Sequence, residues 1–199
     1  MIYFICYVLA FIPLLIMFMC LKVVGRKRLR KKGPYIIVSN HMSNWDPVVI
    51  MFHRTRKTKF LAKKELMSKP FSKWFLGKLG GIPVNRERPE MSSIRMVFDE
   101  LKAGRSVVIF PAGTRTKQPE MDSTCVKEGV SLFAIRSQVP VLPIMFAKKN
   151  RPFKRNKLIV GEPISPEGYS LSKESMEEFG DLICSKMNEL LENNNGEKK

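Results

Sequence analysis

Residues Met1 to Leu21 (MIYFICYVLAFIPLLIMFMCL) hold no charged side chain, and the next eleven, Lys22–Lys32, hold seven Lys and Arg and no acid. An apolar run of about 20 residues is long enough for a helix to cross a hydrocarbon core. Lys and Arg beside such a span mark its cytoplasmic side and attract anionic headgroups at about 1 kcal/mol each. A secretory signal would carry basic residues ahead of the run, and none stands there. A soluble core helix seldom stays apolar on every face for this length. Residues 1–32 are therefore expected to be a membrane anchor and basic collar, at the cell membrane with the rest of the chain on the cytoplasmic side. Pro13 would kink a spanning helix, and a bent segment dipping into the bilayer satisfies the same pattern.

Beyond the collar, short β-type apolar runs alternate with helical patterns. Tyr35–Ser39, Thr58–Ala62, Ser106–Phe110, Val141–Phe146 and Lys157–Val160 read as strands. Met91, Ile94, Val97, Phe98 and Leu101 fall at helical spacing, with Gly104 as a stop. Val126, Val130, Leu132 and Phe133 make a second amphipathic stretch. Met176, Phe179, Ile183, Met187 and Leu190 line a last helix that Ser172 is placed to cap. Such alternation predicts an α/β domain over 33–192, a central sheet flanked by helices, followed by a polar tail over 193–199. Chemistry in these sheets gathers in loops past the strands' carboxyl ends.

Across the 199 residues, 35 Lys and Arg outnumber 18 Asp and Glu, for a net charge of +17. Four of those Lys and eight of the acids lie from Ser165 onward, so the excess belongs to the rest of the chain. An excess of this size attracts anions: nucleic acid, phospholipid headgroups or a phosphorylated substrate. No nucleic-acid-binding signature accompanies it, and aromatic residues are not interleaved with the bases in a stacking pattern. The expected partner is an anionic membrane surface rather than nucleic acid. Cys6, Cys20, Cys125 and Cys184 lie far apart with no C-x-x-C, which indicates neither a disulfide framework nor a zinc site.

Immediately after the first predicted strand stands Asn40-His41-Met42-Ser43-Asn44-Trp45-Asp46-Pro47. On one regular helix His41 and Asp46 would point about 140° apart, so they meet only across a turn, and Ser43 and Asn44 are turn formers. A carboxylate bonded to one imidazole nitrogen leaves the other as a proton acceptor, able to deprotonate a hydroxyl. Asp before Pro is also a common helix start, so spacing leaves Asp46 open as a cap or as the partner of His41. His53 lies among Arg54, Arg56, Lys57 and Lys59 and reads as part of a solvated basic face. After the strand at 106–110 come Pro111-Ala112-Gly113-Thr114-Arg115, where glycine, hydroxyl and guanidinium together suit a phosphate. Gly80 to Arg86 brings a second Arg past a short extended segment; singly, each is also an ordinary turn with a surface Arg.

Taken together these segments resemble the four blocks of the glycerolipid acyltransferase family, in particular its bacterial 1-acyl-glycerol-3-phosphate acyltransferases. The blocks are Asn40-His41 through Asp46, Gly80–Arg86, Phe110–Arg115 and Val139-Pro140-Val141-Leu142-Pro143-Ile144, and the resemblance covers about residues 30–165. It implies a central mixed sheet flanked by helices and transfer of an acyl group from an acyl-ACP or acyl-CoA donor to a lysophosphatidic acid acceptor. It further implies His41 as base, Asp46 as its partner, and Arg86, Gly113, Thr114 and Arg115 around the phosphate, with no metal, no cofactor and no covalent acyl-enzyme. Glycerol-3-phosphate or another lysophospholipid is the alternative acceptor; a non-catalytic binder of anionic lipid or nucleic acid is the alternative class. In one place the chain departs from the family: Ala112 stands where the third block usually has Glu. Glu120 and Asp122 are the acids on the following loop.

Overall fold

The computed structural model describes residues 21–54, 57–85, 90–121, 128–151 and 155–195. The uncharged run over 1–20 and the collar's expected attachment through it lie outside the described residues. Among the described residues, no helix is long and apolar enough to cross a membrane.

Seven strands form one sheet: β1 (Leu21–Val24), β2 (Ile36–Ser39), β3 (Thr58–Lys63), β4 (Gly81–Val84), β5 (Ser106–Ile109), β6 (Val141–Phe146) and β7 (Asn156–Val160). Their spatial order is β1-β7-β6-β2-β5-β3-β4. Every neighbouring pair is parallel except β6 and β7, which makes the sheet mixed. β2, β5 and β6 are buried along their whole length, and strands covered on both faces need such predominantly apolar runs.

Six helices are described: α1 (Arg26–Leu29), α2 (Asp46–His53), α3 (Pro70–Lys78), α4 (Met91–Lys102), α5 (Glu128–Ser137) and α6 (Lys173–Asn195), with a 3₁₀ turn at Lys64–Met67. On one face α4, α5 and α6 press Val97, Leu101, Val130, Ala134, Phe179, Ile183 and Met187 onto Ile36, Val38, Val107 and Val141. On the other, Leu29, Val49 and Ile50 from α1 and α2 cover Ile37, Val108, Leu142, Ile144 and Leu158. Fully burying each large side chain stabilises the fold by about 1.5–3 kcal/mol. Ser172 accepts from the Ser175 N–H at 3.2 Å, the bond expected of an N-cap. Val126, part of the expected second helix, lies outside the described residues.

Two features depart from the sequence reading. The fold begins before residue 33: Leu21–Val24 pairs with β7 in register Leu21↔Asn156 to Val24↔Ile159, so the head of the collar is an edge strand. Gly25 turns the chain into α1 at φ +75°, where a Cβ would meet the Val160 carbonyl at 2.5 Å. Arg28 donates to that carbonyl at 3.0 Å and Leu29 is fully buried, so part of the collar is built into the domain.

His53 and Arg54 are the second departure. They are 5% and 4% exposed, not a solvated face. Arg54 donates to the carbonyls of Leu29 (2.7 Å) and Gly33 (2.9 Å) and to Ser106 Oγ (2.7 Å), and its guanidinium lies 5.1 Å from the centre of the Tyr35 ring. The loop that brings the chain from α1 to β2 turns those carbonyls inward, and a forked cation satisfies several at once.

Candidate active site

β2 ends at Ser39, and the next residue anchors the loop. Asn40 is 1% exposed; its Nδ2 donates to the carbonyls of Pro119 and Phe146, both at 3.0 Å, and its Oδ1 accepts from the Phe146 N–H at 2.8 Å. One amide thereby joins the loop after β2 to the end of β6 and to the segment after β5.

His41 follows, and its Nδ1 lies 3.1 Å from Asp46 Oδ2. The same oxygen accepts the N–H groups of Met42 and Ser43, each at 2.7 Å. Asp46 is the first residue of α2, and its side chain caps nothing in that helix: the carboxylate reaches back into the loop instead. Of the two roles that spacing left open, the geometry is that of a partner to His41. With Nδ1–H donating to the carboxylate, Nε2 is left as the proton acceptor of the ring.

The other carboxylate oxygen is also held. Asn150 Nδ2 donates to Asp46 Oδ1 at 2.7 Å, and Asn150 in turn accepts from Asn156 Nδ2. Asp46 is fully buried and Asn150 is 6% exposed. The chain His41–Asp46–Asn150–Asn156 thus spans the loop after β2, the loop after β6 and the start of β7. A buried carboxylate with four donors keeps one orientation, and so does the imidazole it holds. Asn150 was missed in the sequence, since an Asn in a loop reads as a turn former, and only the crossover brings it beside Asp46.

The segment after β5 packs onto His41 directly. The Phe110 ring lies 4.3 Å from the His41 ring, centre to centre, at an interplanar angle of 31°. The Thr116 N–H donates to the His41 carbonyl at 2.8 Å. Residues 111–115 therefore form a loop whose two ends both touch His41. Gly113 sits at its apex with φ +68°, and a Cβ there would meet nothing within 4 Å, so conformation rather than crowding calls for glycine. Thr114 and Arg115 are exposed, and Arg115 has no ion pair among the described residues. Such a loop can present backbone N–H groups and one guanidinium to an anion.

Of the six residues singled out by sequence, the structure brings His41, Asp46, Gly113, Thr114 and Arg115 to the same edge of the sheet. Arg86 lies outside the described residues. Ala112 is half-buried in the loop, Glu120 is exposed without an ion pair among the described residues, and Asp122 lies outside them. Among the described residues no group of three or more His, Cys, Asp or Glu could hold a metal ion.

Comparison with known proteins bears on the same segments. A 1-acyl-sn-glycerol-3-phosphate acyltransferase of Bacillus subtilis is 30% identical over 178 residues, which cover 85% of this chain and 87% of that protein. The namesake of Streptococcus pneumoniae is 34% identical over 114 residues; that match takes in 56% of this chain and spans 41% of the relative's length. The crystal structure of the 1-acyl-sn-glycerophosphate (LPA) acyltransferase PlsC from Thermotoga maritima matches with a TM-score of 0.64 and 27% identity, covering 85% of this chain and 71% of that one. A family model described as Acyltransferase matches residues 20–147, a span that runs from β1 through the imidazole–carboxylate pair and the 110–116 loop to the end of β6. The chain belongs to the acyltransferase family.

Proposed function

We propose that this protein moves a fatty acyl group from an acyl thioester to the sn-2 hydroxyl of 1-acyl-glycerol-3-phosphate, producing phosphatidic acid for phospholipid synthesis. The observation that carries this reading is the bond between His41 Nδ1 and Asp46 Oδ2, made beside a loop suited to an anion. His41 Nε2 takes the proton of the acceptor hydroxyl as its oxygen attacks the thioester carbonyl. The C–O bond forms, the C–S bond breaks, and the proton passes from the imidazolium to the leaving thiolate. Asp46 offsets the charge on the imidazolium and holds its tautomer. Arg115, with Gly113 and Thr114, grips the acceptor phosphate so that the hydroxyl lies against His41; Arg86 supplies a second guanidinium.

Ala112, in place of the family's Glu, leaves this loop without its usual carboxylate. An anion beside Arg115 then meets one fewer negative charge, which is compatible with a phosphate ligand. The donor is acyl-ACP or acyl-CoA. Residues 1–20 attach the enzyme to the cell membrane, and the basic residues that follow place the catalytic domain on its cytoplasmic side, where both lipids are reached from the bilayer surface.

Release of free thiol from acyl-CoA or acyl-ACP, with and without lysophosphatidic acid, tests the reading. Thiol release should require the acceptor and fall about 10³-fold in His41→Ala. Release that ignores lysophosphatidic acid, or survives intact in His41→Ala, would overturn it; preference for glycerol-3-phosphate would reassign the acceptor alone.

A further inference from the structure

Asn156 stands at the open end of the β6–β7 pairing. That pairing joins Ile144 to Val160 and Phe146 to Leu158, a register that sets Lys148 opposite Asn156. The Asn156 backbone is paired on its other side, with Leu21 of β1, and its side chain reaches into the turn. Its Oδ1 accepts from the N–H groups of Lys148 (3.1 Å) and Lys157 (2.8 Å). Its Nδ2 donates to the Lys148 carbonyl (2.6 Å) and to Asn150 Oδ1 (2.5 Å).

An amide has a donor end and an acceptor end of nearly the same size, and its partners decide which way it points. A backbone N–H only donates and a backbone carbonyl only accepts, so Lys148 and Lys157 leave Asn156 one orientation. Asn150 is then settled in turn. Facing an N–H2 group, it must offer Oδ1, which leaves its own Nδ2 for Asp46 Oδ1, 2.7 Å away. Among the described residues the Asn150 side chain has no hydrogen-bond partner besides these two. The polarity of three backbone groups around the β6–β7 turn is thus carried through two amides to the carboxylate that holds His41.

We infer that Asn156 is a positioning residue for the His41–Asp46 pair, acting through Asn150 to keep a donor against the Asp46 carboxylate. With Asn150 reversed, its carbonyl oxygen would face that carboxylate, and two facing oxygens are tolerated only with a proton between them. A protonated Asp46 no longer offsets the charge of the imidazolium that forms as His41 takes a proton. The inference rests on the proposed function in its kinetic test alone.

Asn156→Asp and Asn156→Ala separate this role from plain bracing of the turn. Asp keeps the bonds from the Lys148 and Lys157 N–H groups but makes a second carboxylate compete for the N–H2 of Asn150. Ala loses every bond and leaves Asn150 free to serve Asp46. In the full-length protein, with rates referred to the folded fraction, Asn156→Asp should lower kcat for acyl transfer about tenfold and Asn156→Ala at most about threefold. The acceptor KM should hold in both. In an Asn150→Ala background, Asn156→Asp should cost less than about twofold more.

A second readout needs no turnover. The chain has two His, so His53→Gln leaves His41 as the only imidazole. Its Nδ1–H proton resonance, carried downfield by the bond to a carboxylate, should move upfield in Asn156→Asp and stay in place in Asn156→Ala. An Asp variant no worse than the Ala variant, an equal loss with and without Asn150, or an unmoved resonance overturns the inference. A resonance that moves in a protein without acyl transfer to lysophosphatidic acid sinks the proposed function alone. His41-dependent transfer with the same resonance in every variant sinks the role of Asn156 alone.

Discussion

Asn150 and Asp46, 104 positions apart in the chain, are joined by a 2.7 Å bond from Asn150 Nδ2 to Asp46 Oδ1. The opposite oxygen of that carboxylate lies 3.1 Å from His41 Nδ1. Asn150 is thereby a positioning residue: it fixes the carboxylate that fixes the imidazole. Asn150→Ala should lower kcat about tenfold, equivalent to about 1.4 kcal/mol, with little change in the acceptor KM. Asp46→Asn, which disturbs the tautomer itself, should cost about 10³-fold or more. Steady-state kinetics across pH check both; a purely structural role for Asn150 would lower the active fraction and leave the pH profile of kcat where it was.

Arg115 stands next to Thr116, whose N–H is bonded to the His41 carbonyl, and it is exposed. Arg115→Ala should raise the acceptor KM about tenfold or more, the value of one or two charge-assisted bonds to phosphate. Arg115→Lys, a point charge in place of a fork, should recover part of the loss. Initial rates against lysophosphatidic acid concentration at fixed donor decide it, and an unchanged acceptor dependence removes Arg115 from the clamp.

Arg54 donates to Leu29, Gly33 and Ser106, and Ser106 Oγ accepts from the Tyr35 N–H at 3.0 Å. Removing the guanidinium strands the buried Leu29 carbonyl and the half-buried Gly33 carbonyl ahead of β2. Arg54→Ala should cost about 2–4 kcal/mol of stability. Arg54→Lys should restore less than half, since one ammonium cannot span the acceptors. Urea unfolding in a solubilised preparation measures both, and a change within about 0.5 kcal/mol would contradict the structural role.

His53 Nδ1 donates to the Val49 carbonyl at 3.0 Å. Burial holds its pKa below the ordinary 6.5; the bond to Val49 works the other way, and Arg26 and Arg30 add a smaller depression. The folded state thus favours neutral imidazole, while the unfolded chain takes up a proton at the ordinary value. His53 costs nothing at a pH above both values, and stability is lost as pH falls below about 6.5 toward the folded pKa. His53→Gln should flatten the fall in unfolding free energy between about pH 7.5 and 5.5. Identical slopes in the two proteins would show that His53 is not the group responsible.

Parts of this architecture are written locally in the chain. A strand buried on both faces must be apolar over most of its length, so β2, β5 and β6 are visible as apolar runs, with Ser39 and Ser106 only at the ends of β2 and β5, and with no knowledge of their neighbours. The stripe Phe179, Ile183, Met187 marks α6 for the same reason: one helical face has to meet the core. The meeting of His41 and Asp46 is also local, because the turn between them closes over five residues and draws the Met42 and Ser43 N–H groups onto the same oxygen.

Other parts exist only through long-range pairing. Leu21–Val24 carries no strand signal beyond two valines beside a charged residue, and it is a strand because β7 has an open edge to fill. Whether Arg54 is a surface cation or a buried donor depends on where the carbonyls of Leu29 and Gly33 turn, and no pattern around residue 54 records that. Asn150 is an ordinary loop residue until β6 runs parallel to β2 and sets it against Asp46. Periodicity and short turns are properties of neighbours in sequence, whereas partners a hundred residues apart are chosen by strand order.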